Sequence, residues 1–380
     1  SIAGITGSLA RAVGEITGNY TYSVTNLSAT NYTFTLAPSA GQFSITPRPI
    51  TLTATPLNKT YGNADPTLVA TITAGSLGST TVSDTLADVT GTLTRAAGEN
   101  VGSYNVALGT GSKAGNYAIV YPANNQAFSI TKANLSHVTA SKTYDGLNTV
   151  TFGQIGTIAG VNGETFSATA GTAGISDKNV VTAGKTLTDL TGLTLSSSNG
   201  GVASNYNLNS GLPIASSNNQ VMINAMDLQI TGVSAANKVY DATRNATLMG
   251  TATVTGISGD VVSASGTGVG TFADKNAGAA KAVTVTGYRL TGTDAGNYNA
   301  LQPVGLTADI AAKALTVANT SVANKVYDGS TTATLSGGSL VGLISTDAAN
   351  VTLTQAGAFA DKNVGTSKTV TAANTIAGSE

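Results

Sequence analysis

The sequence predicts an all-β protein built from tandem β-sandwich repeats. Three observations lead to this fold class: a composition rich in Gly and Thr, short segments of alternating polarity, and motifs that recur at the spacing of a small domain. Of the 380 residues, 45 are Gly and none is Trp, and Thr makes up roughly one residue in six, well above average usage. This profile favours strands and turns over helices. Because 41% of the residues are apolar, the chain can still bury hydrophobic cores.

Individual strands are predicted where Thr alternates with aliphatic residues, as in the segments that begin at Ile50, Val283 and Leu315. Thr is expected to face water there and the aliphatic side chains the core. Turns rich in Gly, Asn and Asp separate such segments by about eight to twelve residues, which is typical of an all-β sandwich.

Two short segments point to one kind of sandwich. Gly18-Asn19-Tyr20 and Gly102-Ser103-Tyr104 resemble the tyrosine corner of immunoglobulin-like domains, in which a Tyr hydroxyl bonds to nearby backbone. The predicted fold class is therefore all-β, with tandem immunoglobulin-like β-sandwich repeats that form an elongated rod.

A motif of the form Lys-x-Tyr-Asp-Gly sets the domain organisation. A looser version lies at Lys59-Thr60-Tyr61-Gly62. The four tyrosines are separated by 83, 96 and 87 positions (61 to 144, 144 to 240 and 240 to 327), the size of one small sandwich domain. The full motif contributes Lys142, Tyr144 and Asp145, then Lys238, Tyr240 and Asp241, and finally Lys325, Tyr327 and Asp328.

Two further signatures recur with the same spacing as this motif. Asp-Lys-Asn follows the motif Tyr by 33 or 34 residues in the last three units, and Asn-Tyr lies near the end of each of the first four. Such constant spacing indicates one fold repeated. The outer residues of Asp-Lys-Asn are Asp177 and Asn179, Asp274 and Asn276, and Asp361 and Asn363. The Asn-Tyr pairs begin at Asn31, Asn116, Asn205 and Asn297.

The positions of these signatures divide the chain into five predicted units: the C-terminal half of a repeat at 1–47, complete repeats at 48–131, 132–224 and 225–312, and the N-terminal part of a repeat at 313–380. The first two units share an Arg-Ala-x-Gly-Glu segment, beginning at Arg11 and Arg95, and form a separate subtype. Successive units follow one another without a Gly/Ser linker, which predicts stiff joints. At about 40 Å per sandwich, the rod would be well over about 100 Å long.

The signatures carry a resemblance to known repeats. Lys-x-Tyr-Asp-Gly and Asp-Lys-Asn resemble the YDG repeats of large bacterial surface proteins, so the last three units are assigned to that type, although Ala242 stands where the pattern has Gly. The segments beginning at Pro47 and Lys59 resemble MBG (mostly beta, glycine-rich) repeats, the type assigned to the first two units. Both kinds occur in filamentous-haemagglutinin-like adhesins exported by two-partner secretion. The resemblance therefore implies an extracellular adhesin on the cell surface or in the biofilm matrix of a Gram-negative bacterium.

Composition argues against several other functions. With 18 Lys+Arg against 19 Asp+Glu, the chain has no basic excess to bind phosphates, so nucleic acid is not an expected partner. No segment is long and apolar enough to suggest membrane insertion. Zero Cys and one His remove thiol chemistry, disulfides and the usual zinc or triad sites. We therefore expect neither an enzyme nor a bound cofactor.

The signature residues have a structural interpretation and two functional ones. In the structural interpretation, each motif Tyr is the core aromatic of its domain and Asp-Gly makes the following turn. Salt bridges near the joints would then pair Lys142 with Asp177, Lys238 with Asp274 and Lys325 with Asp361. Alternatively, Tyr and Asp form a carbohydrate platform, or the recurring Asp of Asp-Lys-Asn binds calcium. Recurrence in successive units favours the structural interpretation.

The sequence thus predicts stalk repeats of a secreted adhesin, whose immediate partners are neighbouring repeats of the same chain. Two alternatives stay open. One is a module that binds cell-surface or matrix glycans. The other is an extracellular fibre in which 313–380 of one copy is completed by 1–47 of the next through strand addition. The different subtypes of these two halves argue against the fibre.

Overall fold

The computed structural model describes residues 4–37, 41–78, 83–213 and 217–378. Over these residues the chain is all-β, as the sequence predicted, with strands as the dominant element. No helix in these ranges has the length and apolar character needed to cross a membrane.

The contacts divide the chain into two compact units. The first consists of 1–141, 149–176 and 184–221, and the second of 142–148, 177–183 and 222–380. The segments 142–148 and 177–183 hold the Tyr-Asp-Gly and Asp-Lys-Asn signatures of one repeat. Both group with the repeat that follows, which is the first indication that these signatures serve the next domain along the chain.

The first unit begins with short antiparallel strands. They pair as first with fifth, second with fourth and third with sixth. In chain order they are β1 (Ile5–Thr6), β2 (Ala10–Arg11), β3 (Gly18–Tyr20), β4 (Tyr22–Ser23), β5 (Ser28–Ala29) and β6 (Phe43–Ile45).

Residues 48–131 form two three-stranded sheets and one short helix. The elements are β7 (Arg48–Ala54), β8 (Leu57–Thr60), β9 (Ala70–Gly75), α1 (Leu86–Thr90), β10 (Thr94–Arg95), β11 (Gly102–Tyr104), β12 (Val106–Ala107), β13 (Tyr117–Val120) and β14 (Phe128–Thr131). The sheet orders are β13-β7-β9 and β11-β14-β8, and β10 pairs with β12. Alternation on β7 sends Ile50 and Leu52 inward beside Tyr117, while Phe128 and Ile130 of β14 build a second cluster.

The next repeat contributes a seven-stranded sheet. The strands of this repeat are β15 (Ala133–Asn134), β16 (His137–Thr143), β17 (Thr149–Thr151), β18 (Ile155–Ala159), β19 (Thr165–Ile175), β20 (Leu187–Asp189), β21 (Leu193–Asn199), β22 (Tyr206–Asn207) and β23 (Asn219–Asn224), of which β15 and β22 pair only with each other. The sheet order is β17-β19-β18-β16-β23, and β20 and β21 both pair with the long β19.

The second unit continues with a five-stranded sheet. The strands of this repeat are β24 (Met226–Gln229), β25 (Thr231–Ala235), β26 (Lys238–Val239), β27 (Asn245–Ala246), β28 (Leu248–Thr253), β29 (Ser263–Ser265), β30 (Val269–Phe272), β31 (Gly278–Thr286), β32 (Arg289–Thr291), β33 (Tyr298–Leu301) and β34 (Leu306–Ala311), and the pairs β24-β33, β25-β28 and β29-β32 lie outside the five-stranded sheet. The sheet order is β26-β34-β31-β30-β27. Phe272, Val283, Val285 and Ile310, which lie on strands of this sheet, form a buried cluster.

The last repeat closes on a long antiparallel pair. Its strands are β35 (Thr316–Ala318), β36 (Ser321–Val322), β37 (Thr332–Ala333), β38 (Leu335–Ser336), β39 (Ser339–Val341), β40 (Val351–Phe359) and β41 (Val370–Gly378). The sheet order β37-β40-β41 places β40 between its two partners.

The Asn-Tyr signature has the same local structure in three repeats. A single 3-10 turn ends on the Asn, at Ala114–Asn116, Ala203–Asn205 and Ala295–Asn297, and the Tyr opens the next strand. That strand runs parallel to the first strand of its own repeat, with Tyr117 opposite Arg48 and Tyr298 opposite Met226. The pairing fixes the Asn and the Tyr at the same end of each repeat.

The hydrogen bond predicted from Tyr20 and from Tyr104 to nearby backbone is confirmed. The Tyr20 hydroxyl donates to the Ile16 carbonyl at 2.6 Å, and the Tyr104 hydroxyl donates to the Asn100 carbonyl at 2.5 Å. The glycine six residues before each Tyr is required because a Cβ there would overlap the ring.

The turn after the motif Tyr needs a left-handed residue, and one repeat lacks glycine there. Gly146 and Gly329 have φ of 77° and 79°, and Ala242 is held at φ 63°. An L-residue in this region costs about 1–2 kcal/mol, partly offset by the greater freedom that Gly has in the unfolded chain.

We therefore expect Ala242→Gly to raise the free energy of unfolding of its repeat by about 0.5–1 kcal/mol. Gly329→Ala, whose new Cβ meets no atom within 4 Å, should lower that of the last repeat by a similar amount. Urea unfolding followed by hydrogen exchange and mass spectrometry resolves the repeats. If Ala242→Gly and the parent chain had the same free energy of unfolding, the backbone of Ala242 would not be strained.

Candidate functional site

The Lys and Asp of Lys-x-Tyr-Asp-Gly stabilise their own turn. Lys238 Nζ lies 2.7 Å from Asp241 Oδ1 and donates to the carbonyls of Thr243 at 2.7 Å and Asn245 at 3.0 Å. The Asp241 carboxylate also accepts the Thr243 N–H. Burial alone would raise the pKa of Asp241, but the hydrogen bonds from Lys238 and Thr243 lower it to about 2.

The other two copies of the motif repeat this arrangement. Lys325 pairs with Asp328 at 2.9 Å, and the hydrogen bond from Lys325 lowers the pKa of Asp328 to about 2. Lys142 pairs with Asp145 at 2.5 Å, and its side chain has no exposed surface. Asp145 and Asp328 both accept the backbone N–H two residues further on. Lys and Asp are therefore turn residues.

Two of the predicted salt bridges between the signatures are wrong. Lys238 and Lys325 bind Asp241 and Asp328, and not the predicted partners Asp274 and Asp361. Each lysine finds a carboxylate three residues away in its own turn, and this contact holds the ammonium group there. Asp274 and Asp361 form ion pairs with lysines seven residues further along, Lys281 and Lys368.

The Asp of Asp-Lys-Asn also organises a turn. Its carboxylate accepts the N–H of the Asn two residues on, at 2.8 Å for Asp177, 2.8 Å for Asp274 and 2.7 Å for Asp361. No group of three or more acidic or histidine side chains within the described ranges is placed to hold a metal ion. A calcium ion at these aspartates stays a prediction from sequence.

The motif Tyr and the middle of Asp-Lys-Asn both reach the next repeat. In the second unit the hydroxyls of Tyr144 and Tyr298 donate to the same oxygen of Asp260, at 2.8 and 2.6 Å. Lys178 Nζ lies 3.7 Å from the other oxygen. The two rings meet edge to face, with centroids 5.4 Å apart. Tyr144 and Asp260 are almost fully buried.

An asparagine forms the second half of this contact. The Val180 N–H donates to Asn297 Oδ1 at 2.8 Å, and Asn297 Nδ2 donates to Asn179 Oδ1 at 3.1 Å. The Asn297 side chain is buried, so both ends of its amide are satisfied by the preceding repeat. We call the tyrosine pair, the shared carboxylate and the asparagine together a repeat junction.

The first unit contains the same junction built from different residues. Tyr61 and Tyr206 donate to the two oxygens of Glu164, each at 2.6 Å, and their rings are 5.6 Å apart. The Val101 N–H donates to Asn205 Oδ1, and Asn205 Nδ2 donates to Asn100 Oδ1, both at 2.9 Å.

Parts of a junction appear at two further places. Nearer the N-terminus, the Thr17 N–H donates to Asn116 Oδ1 at 3.1 Å. In the second unit, the Tyr240 hydroxyl donates to Asp347 at 2.9 Å, and Lys275 Nζ lies 3.6 Å from the same carboxylate. The structure therefore places Tyr144 and Tyr240, with Asn179, at boundaries between repeats.

Tyr327 is the exception among the motif tyrosines, because 59% of its surface is exposed. Tyr144 is buried, but at the boundary with the next repeat and not in the core of its own domain, whereas Tyr240 is partly buried and packs against the core cluster of its domain. Tyr144 is 2% exposed and its hydroxyl is bonded, so it offers no surface to a sugar. A carbohydrate platform at Tyr240 or Tyr327 stays a prediction from sequence.

The junction carboxylates were missed from sequence. Glu164, Asp260 and Asp347 each lie 20 residues after the motif Tyr of their own repeat (144, 240 and 327). The constant spacing of a single acidic residue in an otherwise variable loop was the signal available.

The junction shifts the pKa values of its groups in opposite directions. Burial and the hydrogen bond to Asp260 raise the pKa of Tyr298 to about 12 and also raise that of Tyr144. Burial opposes ionisation of Asp260, but the two tyrosine hydroxyls and Lys178 lower its pKa overall. Neutral tyrosine and ionised carboxylate are thus the forms that the junction stabilises.

These shifts predict a pH window for the junction. The stabilisation by Tyr298 is complete below about pH 10, the unfolded pKa, and is lost as the pH rises towards about 12. The stabilisation by Asp260 is present above about pH 4 and is lost as the pH falls below it. A tyrosinate absorbance titration should therefore show a late phase that Tyr298→Phe reduces by one residue. Ionisation of all 13 tyrosines in one phase near pH 10 would contradict this.

Comparison with known proteins shows which domain families the chain contains. The family model of the YDG domain matches residues 130–213, 224–305 and 311–380. The model of the MBG domain (YGX type) matches residues 50–128. No curated protein and no solved structure matches the chain. Since the three YDG matches cover more than half of the residues, the chain belongs to the YDG domain family, and it carries an MBG domain ahead of its three YDG domains.

Proposed function

We propose that this chain is a stalk segment of a large secreted adhesin, in which immunoglobulin-like sandwiches follow one another as a rod. MBG and YDG domains are repeat domains often found in adhesin-like proteins. The observation that carries the proposal is the repeat junction. It uses the signature residues to bond one domain to the next and leaves few of them free for a ligand.

The chemistry of the junction suits a mechanical connection. A buried carboxylate that loses a hydrogen-bond donor is strongly destabilised. Separating two repeats at Asp260 would remove the hydroxyl of Tyr144 and the ammonium of Lys178 together. Bending at this boundary therefore has a large cost, whereas a Gly/Ser linker would bend freely.

The same residues argue for a role without catalysis. The polar side chains gathered at the junctions are bonded to each other, and the tyrosine and carboxylate pKa values shift towards their unreactive forms. An active site holds groups whose pKa values lie near the working pH. We propose that the chain acts by connecting and not by chemistry.

Small-angle X-ray scattering tests the rod. A compact chain of this length would have a radius of gyration of about 21 Å, whereas a rod of about 100 Å has at least about 29 Å. We expect the larger value. The double variant Glu164→Gln and Asp260→Asn should broaden the distance distribution by loosening two junctions, with faster hydrogen exchange in 142–148 and 177–183.

Asp227→Asn, which alters an exposed carboxylate of the same repeat as Asp260, is the control and should change neither measurement. A radius near 21 Å for the parent chain would refute the rod. Identical scattering and exchange in the parent chain and the double variant would refute the role of the junctions.

We also propose an extracellular location on a Gram-negative bacterium, with export by two-partner secretion. A chain without Cys suits export in an unfolded state, because no disulfide can form before translocation. Protease added to intact cells that express the parent protein should release peptides from these repeats. Release only after lysis would contradict the surface location.

A further inference from the structure

The aspartates at the boundaries between YDG repeats divide their two oxygens between tyrosine and lysine. Asp260 accepts tyrosine hydroxyls on Oδ2, and its Oδ1 lies 3.7 Å from Lys178. Asp347 likewise accepts the Tyr240 hydroxyl on Oδ2, and its Oδ1 lies 3.6 Å from Lys275. Both aspartate side chains are at most 4% exposed, so an oxygen that tyrosine leaves free needs a charged partner.

The lysine in question holds a fixed position relative to the next repeat. Two residues after it, a backbone N–H donates to the Asn of the next Asn-Tyr signature, as seen for the N–H groups of Thr17, Val101 and Val180. We call the residue at this position the connector residue. In chain order the connector residues are Glu15, Glu99, Lys178 and Lys275, so their charge is negative in the first two repeats and positive in the next two.

The MBG domain follows an acidic connector residue and supplies a lysine of its own. Asp84 accepts the Tyr117 hydroxyl on Oδ2 at 2.7 Å, and Lys113 pairs with its Oδ1 at 2.6 Å. Lys113 lies directly before the 3-10 turn of the same repeat. The connector residue before this domain is Glu15, which cannot pair with a carboxylate. Asp84 therefore meets the same requirement as Asp260, with the lysine coming from within its own domain.

Glu164 meets the requirement without a lysine among the described residues. Its connector residue is Glu99, and Val202 stands directly before its 3-10 turn, where the MBG domain has Lys113. Glu164 accepts one tyrosine hydroxyl on each oxygen. Neither oxygen is left over for a cation, so an acidic connector residue deprives this carboxylate of nothing.

One methylene group separates the arrangement at Glu164 from that at Asp260. The loops 160–164 and 256–260 have the same length. In both, the N–H of the second residue donates to the hydroxyl of the Asn-Tyr tyrosine, at 3.0 and 2.9 Å. In both, the N–H of the last residue donates to the carbonyl of the second at 3.0 Å. The two carboxylates therefore extend from equivalent backbone positions, and the longer side chain is what lets each oxygen reach a separate tyrosine.

We propose that the connector residue and the junction carboxylate form a pairing rule that limits which domain can follow which. A lysine connector permits Asp. An acidic connector permits Glu, or Asp with a lysine before its own 3-10 turn. It excludes a domain such as 225–312, which combines Asp260 with Asp294 at that position. The MBG domain can thus precede 132–224 but not 225–312. The rule concerns the order of domains and does not depend on the chain serving as a stalk.

A double-variant cycle in the 380-residue chain tests the rule at Asp260. Lys178→Glu creates an acidic connector and should speed hydrogen exchange in 177–183 and 256–261 at least about fivefold, because it brings a like charge to a buried carboxylate. Adding Asp260→Glu reproduces the pair found in the first unit and should return both segments to within about twofold of the parent chain. Arg289→Glu, an equal change of charge at an exposed position of the same repeat, is the control and should leave exchange there unchanged.

The reverse change tests the rule at the boundary before it. Glu164→Asp should speed exchange in 99–102 and 160–164, because Glu99 cannot serve an oxygen that the shorter side chain leaves free. Adding Val202→Lys supplies a lysine from the same position as in the MBG domain and should restore slow exchange. If only the length of the side chain mattered, Val202→Lys would give no rescue.

Two kinds of result would overturn the rule. One is an exchange rate of Lys178→Glu equal to that of the parent chain. The other is failure of either second substitution, Asp260→Glu or Val202→Lys, to slow exchange in a chain that already carries the first. Each rescue compares two altered chains, so a general loss of stability from the first substitution cannot produce it. The radius of gyration of the parent chain tests the stalk separately, so the two proposals can fail independently.

Discussion

A buried carboxylate shared by two tyrosine hydroxyls is the interaction on which two of the boundaries between repeats depend, those at Glu164 and Asp260. A carboxylate removed from water is tolerated only when its oxygens are hydrogen-bonded or paired with charge. At Asp260 one hydroxyl comes from its own repeat and the other from the repeat before it. Neither repeat alone satisfies the group. The stability of the two domains that meet at Asp260 is therefore coupled, which a flexible linker could not achieve.

Residues of the signature motif make contacts in two domains. In Lys-x-Tyr-Asp-Gly, the Lys and the Asp bind each other and close their own turn, while the Tyr between them points to the next repeat. The turn thus fixes the backbone on both sides of the Tyr and presents the hydroxyl in one direction. Asp-Lys-Asn works the same way, because Asp177 orders its turn while Lys178 and Asn179 contact the neighbour. Recurrence of these motifs follows from recurrence of the boundary.

The sequence predicted the local patterns and missed the contacts between one repeat and the next. Strand alternation and motif spacing gave the all-β class and the repeats, and Gly-x-Tyr gave the tyrosine corners, since all of these are local patterns. The pairing of Lys238 with Asp274 was wrong because equal spacing in sequence says nothing about which carboxylate a flexible lysine reaches first. Asp241, three residues away, was nearer. The role of Asp260 could not be seen from its own repeat, because half of its hydrogen bonds come from the preceding one.

The two subtypes form the same kind of junction, although one position is acidic in the first and basic in the second. Glu99, Asn100 and Val101 of the MBG domain stand where Lys178, Asn179 and Val180 stand in the YDG domain, and the Asn and Val contacts are the same in both. Glu99 cannot serve the next carboxylate as Lys178 does, and its charge is neutralised within its own domain by Lys59 and Arg95. The neighbouring Glu164 compensates through its length. It takes one tyrosine on each oxygen, whereas Asp260 takes both on one oxygen and presents the other to lysine. A domain of one subtype can therefore precede the other because backbone and asparagine geometry are held constant while the ionic partners vary.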